Sequence, residues 1–159
     1  MRYMNLTLTL STAVLVMLGC TAGAKAETSC SDNTLTGGFA FTATGFLVAP
    51  SPIVGPFVAI GTQSFDGKGN TEATSTVSVN GAPERVTMKG LYSVKADCTG
   101  SMTLTFSPSG LVQHFDLIVS AKGTEIRGIR TDAGVVGTGV YPTGRCPVGT
   151  SFDKEPSRA

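Results

Sequence analysis

The chain has 159 residues, of which 41% are hydrophobic and 14% are charged, and its formal net charge is +1. The charges are scattered along the sequence, which excludes a basic patch for nucleic acid or for an anionic membrane surface. A chain of this length suits one domain that buries about two thirds of its unfolded surface.

The N-terminus has the pattern of a signal peptide over residues 1–26. Arg2 supplies a positive charge, residues 6–18 are mostly apolar, and small alanines precede Glu27 at the positions that a signal peptidase reads. The apolar run is shorter than the roughly 20 residues that span a bilayer. We therefore expect cleavage before Glu27 and export to the periplasm or the extracellular space, with no integral membrane segment left. The alternative is a lipoprotein anchored at Cys20, because Leu-Gly-Cys resembles the end of a bacterial lipobox.

The mature chain alternates apolar and polar side chains in extended runs. This pattern predicts eight strands, at residues 35–48, 57–65, 71–79, 86–95, 101–106, 111–120, 125–131 and 135–141. Short turns rich in glycine separate most of them, and a proline-rich link at 49–56 forbids both a helix and a central strand. No window after the signal peptide shows helical periodicity.

The clearest signal is a β-hairpin over residues 84–107. Val86, Met88 and Tyr92 share one face of its first strand, and polar side chains share the other. The second strand alternates in the same way after a turn predicted at 97–100, Asp-Cys-Thr-Gly. Each strand of the hairpin is therefore expected to bury one face and to expose the other.

Short connections between consecutive strands predict an all-β fold, a single antiparallel eight-stranded up-and-down barrel. A meander of this kind removes its edge strands by closing on itself. The barrel domain is expected to span residues 27–142 and to be followed by a flexible C-terminal tail at 143–159. A two-sheet sandwich is the alternative, although only the proline-rich link is long enough for a crossover between sheets.

Three cysteines follow the signal peptide, Cys30, Cys98 and Cys146, and three single pairings are open to them. An exported chain meets an oxidising compartment, where a disulfide is the default. We expect Cys30–Cys98, which tethers the N-terminal segment to the central hairpin, and a free Cys146. The sequence has no Cys-x-x-Cys spacing and a single histidine, His114, so neither a metal site nor another cofactor is expected.

Four side chains are predicted to contact a ligand inside the barrel. Tyr92 and Gln113 share the inward parity, and a buried phenol needs a hydrogen-bond partner, which is either a ligand or a protein group such as Gln113. Glu125 and Arg127 lie with Arg130 on a strand whose parity the sequence leaves open. If Glu125 and one arginine point inward, they form an ion pair that can anchor a carboxylate.

His114 and Asp116 lie two residues apart, so a strand places both on one face, as in a base and its orienting carboxylate. That face is the polar one of the sixth strand. We interpret the two residues as a solvated surface pair, and no catalytic residue is predicted.

Five segments carry a resemblance to known proteins: FDGKG at 65–69, GLYSV at 90–94, DCTG at 97–100, EI at 125–126 and TD at 131–132. They resemble a group of small exported bacterial proteins that are similar to calycin and allene-oxide-cyclase-like barrels, over roughly residues 30–140. The resemblance implies a lipocalin-like barrel. Allene oxide cyclases isomerise an unstable lipid epoxide inside the barrel, but none of their functional residues is assigned to this chain.

The sequence favours a binding module that holds a small, mainly apolar molecule in the barrel. The alternatives are a structural or interaction protein with a filled barrel and, less favoured, an isomerase or cyclase of the allene-oxide-cyclase-like type. The binding module requires an apolar cavity, the filled barrel has none, and the enzyme requires a cavity with an inward charged group, expected at Glu125 or Arg127.

Overall fold

Nine β-strands and one turn of 3-10 helix, Asp32–Thr34, form the part of the chain that the computed structural model describes, residues 29–142 and 145–146. The strands are β1 (Thr36–Leu47), β2 (Gly55–Asp66), β3 (Asn70–Val79), β4 (Ala82–Val94), β5 (Thr99–Ser107), β6 (Val112–Val119), β7 (Ile126–Arg130), β8 (Val135–Tyr141) and β9 (Arg145–Cys146). All eight predicted strands are present. Within these ranges, no helix has the length and hydrophobicity to cross a membrane. The predicted signal peptide, including Cys20, lies outside the described residues.

The first strand closes the sheet into a barrel. Every neighbouring pair from β1–β2 to β7–β8 is antiparallel, and β1 also pairs with β8, from Thr42↔Val140 to Leu47↔Val135. The fold is a closed eight-stranded up-and-down barrel, as predicted, and the two-sheet sandwich is wrong. The short strand β9 pairs with Gly38 and Phe39 of β1, so residues 145–146, expected in a flexible tail, extend the sheet. The rest of that tail lies outside the described residues.

The predicted alternation decides which side chains fill the barrel. Met88, Tyr92 and Leu104 are buried, as their parity in the central hairpin predicts, whereas the neighbouring Lys89 is exposed. The turn of this hairpin lies earlier than predicted, at residues 95–98. Gly100 already pairs with Val94, and Cys98 adopts the left-handed conformation that closes the turn, with φ of 66°.

The disulfide joins Cys30 to Cys98, as predicted. Closing a loop of 68 residues stabilises the fold by about 4 kcal/mol, mainly through the unfolded chain. Beyond Cys30 the chain crosses one end of the barrel, where the Asp32 carboxylate accepts a hydrogen bond from the backbone N–H of Val94 at 2.6 Å. Leu35 follows and is completely buried. This N-terminal segment covers what we call the closed end of the barrel.

Aromatic rings fill the interior next to the closed end. The rings of Phe39 and Phe65 meet edge to face at 5.5 Å between centroids, and those of Phe65 and Tyr92 at 5.0 Å. Met102 and Ile126 pack among them with almost no exposed surface. The core of the domain is therefore concentrated in one half of the barrel.

Candidate functional site

The other half of the barrel contains a cavity of about 760 Å³. It opens between three loops, residues 48–54, 108–111 and 131–134, which we call the cavity mouth. Apolar side chains of these loops, including Ile53 and Leu111, reach both the cavity and solvent. The volume lies within the range of about 300–1,000 Å³ that is typical of ligand sites.

A row of small residues leaves the cavity open. Gly128 pairs with Gly139, Gly139 with Ala43, and Ala43 with Ala59, so these four inward positions lie side by side on β7, β8, β1 and β2. All four line the cavity. Side chains at paired positions share a face of the sheet. Four small residues at neighbouring positions around the barrel wall therefore leave unfilled space.

Above this row, towards the cavity mouth, one ring packs directly on the sheet. Phe57 lies over Gly45 and Gly137, where an added Cβ would come within 2.8 and 2.7 Å of its ring atoms. A larger residue at either glycine would displace the ring, so both positions require glycine for this close approach.

The floor of the cavity is a closed hydrogen-bond network around Gln63, which is only 1% exposed. The Tyr141 hydroxyl donates to Oε1 of Gln63 at 2.9 Å, and Nε2 of Gln63 lies 2.8 Å from Oγ1 of Thr71 and 3.0 Å from the sulfur of Met102. Thr71 in turn donates to the carbonyl of Ser64. Burial raises the pKa of the Tyr141 phenol, which keeps it protonated as the donor.

Two polar side chains of the cavity wall have no partner. The hydroxyl of Ser75 is buried and makes no hydrogen bond within the described residues. The amide of Gln113 is 8% exposed, lines the cavity and likewise has no hydrogen-bond partner among them. A buried polar atom without a partner costs about 1–3 kcal/mol, and the Ser75 hydroxyl is such an atom. The Gln113 amide faces the cavity, so both groups are available to a polar atom of a ligand.

A charged cluster lies at the cavity mouth. Nε of Arg130 is 3.2 Å from Oδ2 of Asp132, whose Oδ1 lies 2.7 Å from Nδ1 of His114. The Arg130 guanidinium also lies 5.6 Å from the ring centroid of Phe115. Burial lowers the pKa of Arg130, which nevertheless remains charged. Burial opposes ionisation of Asp132, but hydrogen bonds from His114 and the charge of Arg130 together hold the pKa of this carboxyl below its usual value.

No protein-family model, curated protein or solved structure matches this chain. The resemblance to calycin and allene-oxide-cyclase-like barrels therefore stays a prediction. In the described part of the chain, no group of three or more His, Cys, Asp or Glu side chains is placed to hold a metal ion. The chemistry of the site is inferred from the residues that line the cavity.

Of the four predicted ligand contacts, only Gln113 lines the cavity. Tyr92 points inward but lies at the closed end, where its hydroxyl donates to the carbonyls of Asp32 and Leu35, both at 3.0 Å. Its partner is therefore the N-terminal segment and not Gln113. The expectation that Tyr92 contacts a ligand does not fit this position, because the aromatic core separates it from the cavity.

Glu125 and Arg127 lie on the outer surface, paired with each other at 2.6 Å between Oε1 and Nε. Ile126 and Gly128 take the inward positions of β7, so the next inward side chain is Arg130. The prediction that Glu125 forms an inward ion pair with an arginine is therefore corrected. The ion pair that lines the cavity joins Arg130 to Asp132. The sequence left this parity open because the two isoleucines of β7 lie on opposite faces: Ile126 is buried, whereas Ile129 is 53% exposed.

His114 and Asp116 are both exposed on β6, as predicted. The partner of the imidazole is nevertheless Asp132, in the loop after β7. Sequence reasoning also missed Ser75 and Ala59, because a serine or an alanine on a strand gives no signal until its neighbours across the barrel are known.

Proposed function

We propose that this protein binds one small, mainly apolar molecule in the cavity of its barrel. The cavity of about 760 Å³ carries this proposal, because its wall is largely apolar and it opens at the mouth. The unpartnered groups of Ser75 and Gln113 supply the few polar contacts that orient a ligand in such a site. A completely filled barrel does not fit this cavity.

The proposed site of action is outside the cytoplasm. The Cys30–Cys98 disulfide supports export, since cytosolic thiols are kept reduced. The disulfide and the Asp32 contacts stabilise the closed end only, so the cavity mouth is left free for the ligand to enter. Export to the periplasm or the extracellular space agrees with the signal peptide predicted at residues 1–26.

An isomerase or cyclase has less support. That hypothesis requires an inward charge at Glu125 or Arg127, and neither residue lines the cavity. Among the described residues, the charged side chains at the cavity are Glu84, Arg130 and Asp132, all near the mouth. They are better placed to hold one end of a ligand than to act on a bond deep inside the barrel.

Titration with Nile red, an uncharged apolar dye whose fluorescence rises in apolar surroundings, tests the proposal. We expect saturable binding of one dye molecule per protein. The variant Ala59→Trp places an indole in the row of small residues and should abolish this binding. Val58→Trp is the matched control, because Val58 is the adjacent residue, is 55% exposed and points outward. It should bind the dye as the unaltered protein does.

Circular dichroism establishes that both variants are folded before they are compared. Failure of the unaltered protein to bind the dye would contradict the proposed function. If a folded Ala59→Trp variant binds the dye as tightly as the unaltered protein, the dye binds outside the cavity, and this result too would contradict the proposed function. Native mass spectrometry of protein purified from its own host should show a co-purified small molecule that the Ala59→Trp variant lacks.

A further inference from the structure

We infer that the ligand is a carboxylate on an apolar chain, and that Arg130 binds the carboxylate at the cavity mouth while the chain fills the cavity. This inference rests on the proposed function and assigns the chemical class of its ligand. It depends on the burial of Arg130, on the hydrogen-bond donors that its neighbours leave free, and on the arrangement of charge around the mouth.

Arg130 is buried to a degree that is unusual for a charged strand residue. Its side chain is 12% exposed, whereas that of Arg127, three positions earlier on the same strand, is 71% exposed. The guanidinium lies near the ring of Phe115 and lines the apolar cavity. Removing a cation from water is costly unless anions and hydrogen-bond acceptors replace the lost hydration.

Asp132 replaces only part of that hydration. Its Oδ1 faces Nδ1 of His114, and its Oδ2 accepts from the backbone N–H of His114 at 2.9 Å and from Nε of Arg130 at 3.2 Å. Both carboxylate oxygens are therefore in use, and neither bonds to an Nη atom of Arg130. The two Nη groups have no hydrogen-bond partner among the described residues.

A guanidinium that is held through Nε and free at both Nη groups matches the two oxygens of a carboxylate. The contact with Asp132 fixes the orientation of the side chain before a ligand arrives, which reduces the entropy lost on binding. The Phe115 ring supports the guanidinium on one side. Arg130 is thus prepared to accept a second, external anion.

The distribution of charge at the cavity mouth sets the orientation of the bound ligand. Arg130 ends β7 at the mouth, and the row that includes Ala43 and Ala59 lies deeper, where the cavity is apolar. Glu84, an exposed acidic residue at the mouth, lies on β4, three strands away around the barrel. It disfavours an anion on its own side. The carboxylate therefore belongs beside Arg130, and the chain extends towards the floor.

Displacement of Nile red by three ligands of equal chain length tests the inference: decanoate, decanol and decylammonium. In the unaltered protein, decanoate should displace the dye at a concentration at least tenfold lower than decylammonium. In Arg130→Gln, the affinity for decanoate should fall roughly 10- to 100-fold, the loss expected for hydrogen bonds between charged groups, while decanol is unaffected. Arg127→Gln is the matched control on the same strand and should change neither affinity.

The outcomes distinguish a failure of this inference from a failure of the proposed function. If the dye binds but decanoate and decylammonium displace it equally, or if Arg130→Gln leaves decanoate binding unchanged, this inference is wrong and the proposed function stands. If the dye does not bind to the unaltered protein, the proposed function fails and the inference fails with it. The comparison of decanoate with decylammonium needs no variant, so the inference stays testable even if Arg130→Gln does not fold.

Discussion

The Tyr141→Phe substitution tests whether the floor of the cavity excludes water. It removes the hydroxyl that donates to Oε1 of Gln63 at 2.9 Å and leaves the ring contact with Phe41, at 5.2 Å between centroids, in place. Gln63 is 1% exposed, so its oxygen is left without a donor. The cost of an unsatisfied buried acceptor is about 1–3 kcal/mol, and we expect the free energy of unfolding to fall by that amount.

Urea denaturation followed by circular dichroism measures this loss, and in a thermal scan it corresponds to a decrease of about 3–5 °C in Tm per kcal/mol. Gln63→Leu should also destabilise, because it leaves the Tyr141 hydroxyl without an acceptor. The double variant should cost about 1 kcal/mol less than the sum of the single variants, because neither polar group then remains unpaired. An unchanged stability for Tyr141→Phe would refute the reasoning, since it would mean that water from the cavity reaches Gln63.

Three further predictions concern the closed end and the cavity mouth. Tyr92→Phe should lower stability by about 1–2 kcal/mol, because the Leu35 carbonyl loses the hydroxyl donor and the Asp32 carbonyl keeps only the Leu35 N–H, yet leave Nile red binding unchanged; weaker dye binding would contradict the placement of Tyr92 away from the cavity. Replacing Cys30 and Cys98 together by serine should lower the free energy of unfolding by about 4 kcal/mol in urea, and a loss below about 1 kcal/mol would contradict the loop-closure account. The lowered pKa of Asp132 stabilises the fold above about pH 4, and this stabilisation is lost as the pH falls through the folded-state value. The Tm of the unaltered protein should therefore fall more steeply between about pH 5 and pH 2 than that of Asp132→Asn, and equal slopes would contradict the assignment.

Local patterns predicted most of the fold because strand alternation and turn chemistry involve residues that are close in sequence. Met88 and Tyr92 face inward for this reason, and the Asp-Gly turn at 66–67 reverses the chain between β2 and β3. The boundaries of the strands were predicted less accurately. The turn of the central hairpin lies at 95–98, whereas the sequence predicted it at 97–100. It depends on the hydrogen bond from the Cys98 N–H to the Lys95 carbonyl, and the alternation of the flanking strands does not determine that bond.

The candidate site was predicted less well because it depends on neighbours around the barrel. Gln113 was found by parity alone. Parity also placed Tyr92 inward, but it gave no depth along the barrel axis and so did not distinguish the filled half from the cavity. Arg130 and Asp132 meet because the last inward position of β7 lies beside the following loop, and His114 joins them from β6.

The amino-acid sequence by itself determined that this protein is built from strands of alternating apolar and polar residues joined by short turns, and it favoured Cys30–Cys98 among the three open cysteine pairings. The tertiary structure decided that the barrel is empty at one end and filled at the other. Gly128, Gly139, Ala43 and Ala59 become one row only through the registers of β7, β8, β1 and β2. The physical reason is that alternation is set within each strand, whereas the depth of a side chain in the barrel is set by how strands distant in sequence align.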